Sequence, residues 1–213
     1  MMNIPNDILS YINDKLNFTP DMVDKLSIWH ELLLKWQPKI NLISPKTIDD
    51  AWHRHFLDSM QLGLYLPPTP NKNVHFADFG SGAGFPGLAV ALQTPANMQL
   101  VEADQRKAVF LSEVIRNWGE TERIKVINKR IENLDDIQYD CLSARALADC
   151  NQLLTWAKPY LKSNTCCIFL KGKNWKAEIA EAQQNWHFDY QPQPSITDKD
   201  AKILIITNIK END

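Results

Sequence analysis

Four of the chain's seven glycines lie in one stretch, DFGSGAGFPG at positions 78–87. Glycine allows a positive φ and lets the backbone approach a ligand closely, because it carries no Cβ. The stretch follows the apolar run VHFADF and overlaps the start of FPGLAVALQ, so the pattern predicts a loop between a strand and a helix. A tight turn alone needs one or two glycines, and four of them indicate a loop that cradles a cofactor.

Two kinds of cofactor fit this loop. Residues 82–87 read GAGFPG and match G-x-G-x-x-G, the pattern of dinucleotide-binding proteins. Pro86 argues against that interpretation, since it interrupts the start of the helix whose free N–H groups would bind a pyrophosphate. With Asp78 included, the run reads D-x-G-x-G-x-G and is similar to motif I of the class I S-adenosylmethionine (SAM) methyltransferases. That resemblance implies that Asp78 helps to hold the cationic amino-acid end of SAM. The three glycines of this motif are Gly80, Gly82 and Gly84.

An acid after the second predicted strand, MQLVEA, suits the ribose of either cofactor. Glu102 lies at the end of that strand, where a carboxylate can bind both ribose hydroxyls. Asp104 follows two residues later, and the sequence leaves open which of the two acids has this role. Because both cofactors use such an acid, it does not distinguish between them.

The elements that must position these residues follow from the spacing of apolar side chains. The first 66 residues are typical of helices, and Thr19-Pro20-Asp21 predicts the start of the second one. A third helix is expected from Thr47 to Leu66, with Asp50 completing a capping box. The segment PPTPNKN at 67–73 is typical of a linker. We therefore expect an N-terminal helical cap over residues 1–66 and a SAM-binding domain, one compact unit, over residues 74–213.

Beyond the linker, strand-like runs alternate with helix-like runs. This alternation predicts βαβ units on a parallel, doubly wound α/β sheet with right-handed crossovers. The last two strands, FDYQP and AKILIITNI, have no helix between them and should pair antiparallel at one edge. We expect a Rossmann-like sheet of seven strands whose last strand is antiparallel, an arrangement that favours a methyltransferase over a dinucleotide enzyme.

Composition bounds the remaining possibilities. The chain has 213 residues, a net charge of −3 and 44% hydrophobic residues, enough for one sizeable core. No apolar run is long enough for a membrane span, and the N-terminus lacks the features of a secretory signal, so we expect a cytoplasmic protein. His53 and His55 have no third ligand nearby, so no metal site is expected. Cys141 and Cys150 lack the Pro-Cys context of cysteine-dependent pyrimidine methylation.

Five short motifs together resemble one family. They are GSGAGFPG in the glycine loop, NLIS at 41–44, RHFLDS at 54–59, SARA at 143–146 and LKG at 170–172. Their order and spacing over residues 20–208 are similar to those of the RsmG (GidB) family of bacterial methyltransferases. Two departures are small: Ile43 stands where threonine is common, and Glu102 where aspartate is frequent.

The resemblance implies an activity: transfer of a methyl group from SAM to N7 of a guanine in 16S rRNA, guanosine 527 in the family. It implies that the partner is 16S rRNA, in the small ribosomal subunit or an assembly intermediate, and that the protein is a monomer. Two alternatives stay open at this point. One is an NAD-binding oxidoreductase or sensor, and the other is a non-catalytic SAM-binding or RNA-binding module.

The resemblance also implies roles for single residues. Gly80 and Phe85 would contact the cofactor, and Ile131 and Glu132 would flank its adenine. Arg145 would lie at the methyl-transfer pocket, next to the cofactor, and would be the catalytic residue.

RNA contacts are expected from four residues, namely Arg54, His55, Lys171 and Lys173. Two runs without acidic residues, 123–130 and 158–176, are expected to form a basic rim with Arg54 and Arg145 on the cofactor face. Such runs are also typical of ordinary solvated surfaces, and Arg54 could pair with Asp58 on the same helix.

Overall fold

The computed structural model describes residues 4–66 and 73–212. It begins with two helices, α1 (Asn6–Leu16) and α2 (Pro20–Trp36). As the sequence predicts, the hydroxyl of Thr19 accepts a hydrogen bond from the backbone of Met22, and Pro20 occupies the first turn of α2. The apolar faces of both helices are buried, so these helices pack onto the rest of the molecule.

The third helical segment differs from the predicted regular helix. Within residues 51–64 the chain forms a π-helix (Trp52–Leu57), one turn of α-helix, α3 (Asp58–Met60), and a 3-10 helix (Gln61–Leu64). The predicted capping box at Thr47 is wrong, because the Thr47 hydroxyl bonds to Ser44 and His55 instead. Wide π-turns are frequent at functional sites, and this segment lines a pocket described below.

Seven strands form a single sheet. They are β1 (His75–Phe79), β2 (Asn97–Val101), β3 (Ile124–Ile127), β4 (Tyr139–Arg145), β5 (Leu161–Lys171), β6 (Trp186–Pro194) and β7 (Lys202–Glu211). The order is β3-β2-β1-β4-β5-β7-β6. Strands β1 to β5 are parallel, and β7 lies antiparallel between β5 and β6. The predicted doubly wound sheet with an antiparallel last strand is confirmed.

Helices cover both faces of the sheet. The remaining ones are α4 (Gly87–Gln93), α5 (Gln105–Trp118), α6 (Cys150–Ala157) and α7 (Trp175–Ala182). The side chains of Phe76 and Met98 join a core cluster with α1, α2, α4 and α5, whereas Ala77 and Phe79 join a second cluster with α6 and α7. The N-terminal helices therefore share one core with the sheet. The division into a cap and a domain stays a prediction, and residues 67–72 of the linker lie outside the described residues.

The strand order reverses between β1 and β4. In open α/β sheets, ligands bind beyond the carboxyl ends of the strands at such a reversal point. Four loops meet there, after β1, β2, β4 and β5. In the described part of the chain, no helix has both the length and the apolar character needed to cross a membrane.

Candidate active site

The loop after β1 has the positive φ values that its glycines predict. Gly80, Gly82 and Gly84 have φ values of +68°, +55° and +97°. The N–H groups of Gly80 and Ser81 both donate to the carbonyl of Val101 at the end of β2. These bonds fix the loop, which we call the glycine loop (residues 80–87), against the neighbouring strand.

The glycines of this loop differ in what a side chain would meet. A Cβ on Gly84 would lie 2.4 Å from Leu88, and one on Gly80 would lie 2.7 Å from Leu147. A Cβ on Gly82 would meet no atom closer than the carbonyl of Gly80 at 3.8 Å. A side chain at Gly84 or Gly80 would therefore crowd a neighbouring leucine, whereas Gly82 faces open space. This is the position at which a cofactor can lie against the backbone.

Asp78 lies beneath the glycine loop and is fully buried. One carboxylate oxygen accepts a hydrogen bond of 2.6 Å from the hydroxyl of Ser143 on β4. The other, Oδ2, is buried without a hydrogen-bond partner among the described residues. Burial raises the pKa of this carboxyl to about 6, against the opposing effect of Ser143. Oδ2 lies against Gly87 at the start of α4, whose backbone N–H also lowers the pKa of this carboxyl, and the predicted contact of Asp78 with the cofactor stays a prediction.

Glu102 and Asp104 have different surroundings. The Glu102 carboxylate accepts hydrogen bonds from the N–H of Gly82 at 2.8 Å and from the N–H of Asp104 at 2.7 Å. Asp104 caps α5, accepting from the N–H of Arg106 at 2.8 Å, and is paired with the Arg106 side chain. Glu102 is thus tied directly to Gly82, which favours it over Asp104 as the acid beside a cofactor.

The predicted adenine pair lies beyond β3. Ile131 and Glu132 begin a short 3-10 helix, Ile131–Asn133. Ile131 is buried and its carbonyl accepts a 2.6 Å hydrogen bond from the hydroxyl of Tyr160, whereas Glu132 is exposed. The structure therefore fixes the backbone at Ile131 and leaves the Glu132 side chain exposed.

Arg145 ends β4 and is held by three groups of the 51–64 segment. One guanidinium nitrogen donates to the carboxylate of Asp58 and to the carbonyl of Arg54, each at 3.1 Å. The other terminal nitrogen donates to Nδ1 of His55 at 3.0 Å. The guanidinium also lies 5.1 Å from the ring centre of Phe85. The Asp58 carboxylate therefore pairs with Arg145, and the predicted surface pair between Arg54 and Asp58 is wrong.

These contacts determine the protonation of His55. Arginine can only donate, so Nδ1 of His55 must be the acceptor and Nε2 carries the proton. Nε2 lies 2.7 Å from the hydroxyl of Thr47, which in turn donates to the carbonyl of Ser44 at 2.9 Å. Burial, together with Arg145 and Arg54, lowers the pKa of His55 to about 4. His55 is therefore a neutral positioning group with both nitrogens occupied.

Phe85, which the resemblance places against the cofactor, is 4% exposed. Its ring packs between Trp29 at 4.5 Å and Phe56 at 5.0 Å. The ring therefore couples the N-terminal helices to the glycine loop, and its predicted contact with the cofactor stays a prediction.

Sequence reasoning missed a further set of contacts to Asp58. Its second carboxylate oxygen accepts from the hydroxyl of Thr197 at 2.6 Å and from the amide of Gln61 at 3.0 Å. The Gln61 side chain also accepts from the backbone of Ile196. The connection between β6 and β7 is thereby fixed to the 51–64 segment. No local pattern marks these contacts, because the Thr197–Asp58 and Ile196–Gln61 pairs each join residues more than a hundred positions apart in the chain.

The predicted RNA contact at Lys171 is not supported by its position. Lys171 is 7% exposed, its ammonium bonds to the carbonyl of Ala148, and it lies 2.6 Å from the Glu178 carboxylate. Its charge is neutralised inside the protein, where it ties the end of β5 to α7. Lys173 and Arg54 are exposed, and their RNA contacts stay predictions.

The two acid-free runs are divided between the two ends of the strands. The predicted basic rim is wrong for Arg123, Lys158 and Lys162, and for the other cations of the runs it stays a prediction. Arg123 precedes β3 and donates to the carbonyls of Ala91, Thr94 and Ala96. Lys158 pairs with Glu211, and Lys162 pairs with Asp140, both near the start of β5. These cations lie at the amino ends of the strands, on the opposite side of the sheet from the candidate site.

Cysteine and metal chemistry find no support here. Burial raises the pKa of the Cys141 and Cys150 thiols to about 12, so neither carries much thiolate near neutral pH. Within residues 4–66 and 73–212, no three His, Cys, Asp or Glu side chains gather into a metal site. His53 bonds instead to Asp7 and Asp50.

The fold and the glycine loop define the class of protein. A solved structure from Methanococcus maripaludis, described as an S-adenosyl-L-methionine-dependent methyltransferase, superimposes with a TM-score of 0.57 at 14% identity. The match covers 78% of this chain and 93% of that one. The chain therefore has the fold of the SAM-dependent methyltransferases, as predicted.

Sequence comparisons identify the family. Residues 22–206 match the family model described as rRNA small subunit methyltransferase G. A ribosomal RNA small subunit methyltransferase G from Gluconobacter oxydans (strain 621H) is 41% identical over 187 residues, covering 88% of this chain and 94% of the relative. One from Paramagnetospirillum magneticum (strain ATCC 700264 / AMB-1) is 38% identical over 205 residues, covering 96% of each. The chain belongs to the rRNA small subunit methyltransferase G family. The predicted family is confirmed, and the NAD-binding alternative is not favoured.

Proposed function

We propose that this protein is a SAM-dependent methyltransferase that methylates N7 of a guanine in 16S rRNA, the position corresponding to guanosine 527 in the family. The observation that carries the proposal is the family match over residues 22–206, which includes the glycine loop and Arg145. The enzyme is an rRNA methyltransferase, and SAM is its cofactor. The choice of N7 and of one guanosine is the finer part of the proposal.

The residues at the carboxyl ends of β1 to β3 fit SAM. Gly82 offers open space against its backbone, and Glu102 is tied to that glycine by a hydrogen bond. Bound there, SAM supplies a methyl group on a positively charged sulfur. We assign Glu102 to the ribose hydroxyls and residues Ile131 and Glu132 to the adenine. The buried carboxylate of Asp78 favours a cationic group nearby, since burial makes an opposite charge especially stabilising.

The reaction at N7 needs no general base, because this nitrogen carries a lone pair and no proton. The candidate site agrees with that requirement. Both nitrogens of His55 are occupied, and both oxygens of Asp58 accept hydrogen bonds from Arg145, Gln61 or Thr197. These groups hold Arg145 in place and do not remove a proton from the substrate. The enzyme acts by positioning the base for an in-line attack.

Arg145 is the residue we assign to the base. Its Nε–H makes no hydrogen bond to any residue in the described ranges, so this donor is free for a ligand oxygen. We propose that Arg145 donates to O6 of the guanine and thereby sets the direction of N7.

The experiment is single-turnover methyl transfer at saturating SAM. RNA with 7-deazaguanine at the target should be inert, and the rate on normal RNA should be constant from pH 6.5 to 8.5. Arg145→Gln should lower the rate on the order of 100-fold, as loss of a preorganised donor does, with little change in SAM affinity. A rate that rises tenfold per pH unit and depends on one histidine or carboxylate would show that a base is needed, and N7 would be wrong.

We also propose that the substrate is rRNA within the small subunit or an assembly intermediate, and that the enzyme acts in the cytoplasm as a monomer. The name of the family supports the rRNA, and the predicted partners and monomer rest on the resemblance. Comparing naked 16S rRNA, core particles and complete subunits as methyl acceptors tests the first point. Light scattering of the purified protein tests the second.

A further inference from the structure

A pocket of about 300 Å³ lies beside Arg145, between the 51–64 segment, the ends of β4 and β5, and the connection between β6 and β7. The residues that matter here are Arg54, Asp58, Arg145, Gly172, Asp198 and Lys202. Arg145 links this pocket to the cofactor loop, because its guanidinium also lies over Phe85. The pocket therefore opens next to the place where the methyl group is transferred.

We propose that this pocket receives the target guanine itself, with Asp198 accepting hydrogen bonds from its N1–H and 2-amino group while Arg145 binds O6. The inference rests on the proposed function and deepens it, since it names the residues that select guanine over other bases.

The size of the pocket suits a single base. Ligand pockets span roughly 300–1,000 Å³, and this one is at the small end of that range. Enzymes that act on a base commonly take it out of the stack and hold it in a close-fitting pocket. One splayed base therefore fits the pocket, whereas a stretch of stacked nucleotides does not.

Two carboxylates line the pocket, Asp58 and Asp198, and of these Asp198 is the one available to a base. Both Asp58 oxygens are occupied, one by Arg145 and the other by Gln61 and Thr197. Asp198 uses one oxygen to accept from the N–H of Asp200, and its other oxygen has no partner among the described residues. This free oxygen is a suitable acceptor for guanine, which presents two donors on one edge. Adenine has no N1–H and would leave the carboxylate without a partner.

The cations in the pocket complement this acceptor. Arg54 and Lys202 line the same space, and neither has an acidic partner in residues 4–66 or 73–212. They suit the phosphates that flank a splayed nucleotide. The pocket thus offers the Asp198 carboxylate to the base, and Arg54 and Lys202 to the phosphates of the RNA backbone.

Filling the pocket is the first test. A Cβ on Gly172 would meet no atom within 4 Å, so a side chain can leave the backbone there without an immediate clash. Gly172→Phe should lower kcat/KM for methyl transfer at least 100-fold, with SAM affinity and melting temperature unchanged. Gly172→Ala is the matched variant and should lose much less activity than Gly172→Phe, because a methyl group fills little of the pocket. Equal activity of the Phe and Ala variants would overturn the assignment.

Pairing a variant with an altered base is the second test. Inosine lacks the 2-amino group, so wild type should methylate inosine-containing RNA about 10- to 100-fold more slowly than guanine RNA. In Asp198→Asn, the rate on guanine RNA should be lowered similarly, and inosine should cause no further loss. Asp200→Asn, a neighbour that does not line the pocket, should behave as wild type.

The outcomes separate the two proposals. If wild type forms no 7-methylguanine on any small-subunit substrate, the proposed function fails. If wild type is active but the Asp198→Asn and inosine losses multiply, the proposed function stands and the contact between Asp198 and the 2-amino group is overturned.

Discussion

Asp78, which is fully buried, and His55, which is half-buried, are two groups at the site whose pKa values are shifted in opposite directions. Burial raises the pKa of Asp78 to about 6 and lowers that of His55 to about 4. In each case burial disfavours the charged form of the group. The opposed shifts have a measurable consequence for stability.

The signs follow from proton binding. Folded Asp78 keeps a proton that the unfolded chain releases between about pH 4 and 6, so its contribution to stability falls as pH rises. Between about pH 4 and 6.5, His55 binds a proton in the unfolded chain but not in the folded protein. Its contribution to the free energy of unfolding therefore rises with pH. The Asp78 contribution is at most ~3 kcal/mol and that of the partly exposed His55 is smaller because solvent screens it, so in wild type the two partly offset each other.

Replacing either residue should therefore expose the effect of the other on the pH dependence of stability. We expect the free energy of unfolding of Asp78→Asn to rise more steeply than that of wild type from pH 4.5 to 6.5. His55→Gln should rise less steeply, or fall. Urea titrations at four pH values measure both curves. A curve for Asp78→Asn that runs parallel to wild type would show that Asp78 is not shifted.

Among the structural elements, the glycine loop offers a matched comparison. Gly82 and Gly119 both have positive φ values, +55° and +71°, and a side chain at either meets no close atom. Valine at each position should cost a similar backbone strain, on the order of 1–2 kcal/mol. Only Gly82 lies in the loop that faces the cofactor.

We expect Gly82→Val to abolish SAM binding in calorimetric titration, whereas Gly119→Val binds SAM as wild type does. The reason is that a Cβ at Gly82 occupies the space needed by the ligand. Denaturation curves should show comparable losses of stability in both variants. If Gly82→Val bound SAM with wild-type affinity, the cofactor would not bind against this loop.

Lys171 connects two elements rather than contacting solvent. Removing one partner of a buried ion pair leaves the other uncompensated, so Lys171→Met should lower the free energy of unfolding by about 2–3 kcal/mol. The double variant with Glu178→Gln should recover most of this loss. Lys173→Met, which changes an exposed lysine nearby, should stay within ~0.5 kcal/mol of wild type. Urea denaturation measures all three, and weaker RNA binding by Lys171→Met at full stability would restore its predicted RNA role.

The sequence could predict elements that depend on local pattern. The alternation of strands and helices and the cluster of glycines correctly predicted the sheet and the glycine loop. The 51–64 segment could not be predicted in the same way. Its shape depends on Asp58, whose partners Arg145 and Thr197 are 87 and 139 residues distant in the chain. Such contacts override helix propensity and leave no local signature.

At the scale of the whole molecule, the distribution of charge corrects the sequence-based view of RNA binding. A run of basic residues in sequence does not show at which end of a strand each residue lies. Lys125 in β3 and Lys210 near the end of the antiparallel β7 both lie toward the amino ends of the parallel strands. Arg54 lines the pocket beside Arg145, and Lys173 follows the carboxyl end of β5.

This arrangement predicts which cations contact RNA. Reversing Arg54 and Lys173 to glutamate should weaken RNA binding and reduce the slope of log affinity against log salt by about 0.7 for each lost phosphate contact. Reversing Lys125 and Lys210 changes the net charge equally but on the opposite side of the sheet. That control should leave both the affinity at moderate salt and the slope close to wild type.

Filter binding over a series of salt concentrations measures both slopes, and SAM titrations check that each double variant still binds its cofactor. Equal losses of RNA affinity in the two double variants would mean that only the net charge of the protein matters. Long-range electrostatic attraction would then not depend on which end of the strands carries the cations. A loss confined to Arg54 and Lys173 would place the phosphates at the mouth of the pocket beside Arg145. An acidic protein could then bind RNA through a few cations arranged around one site.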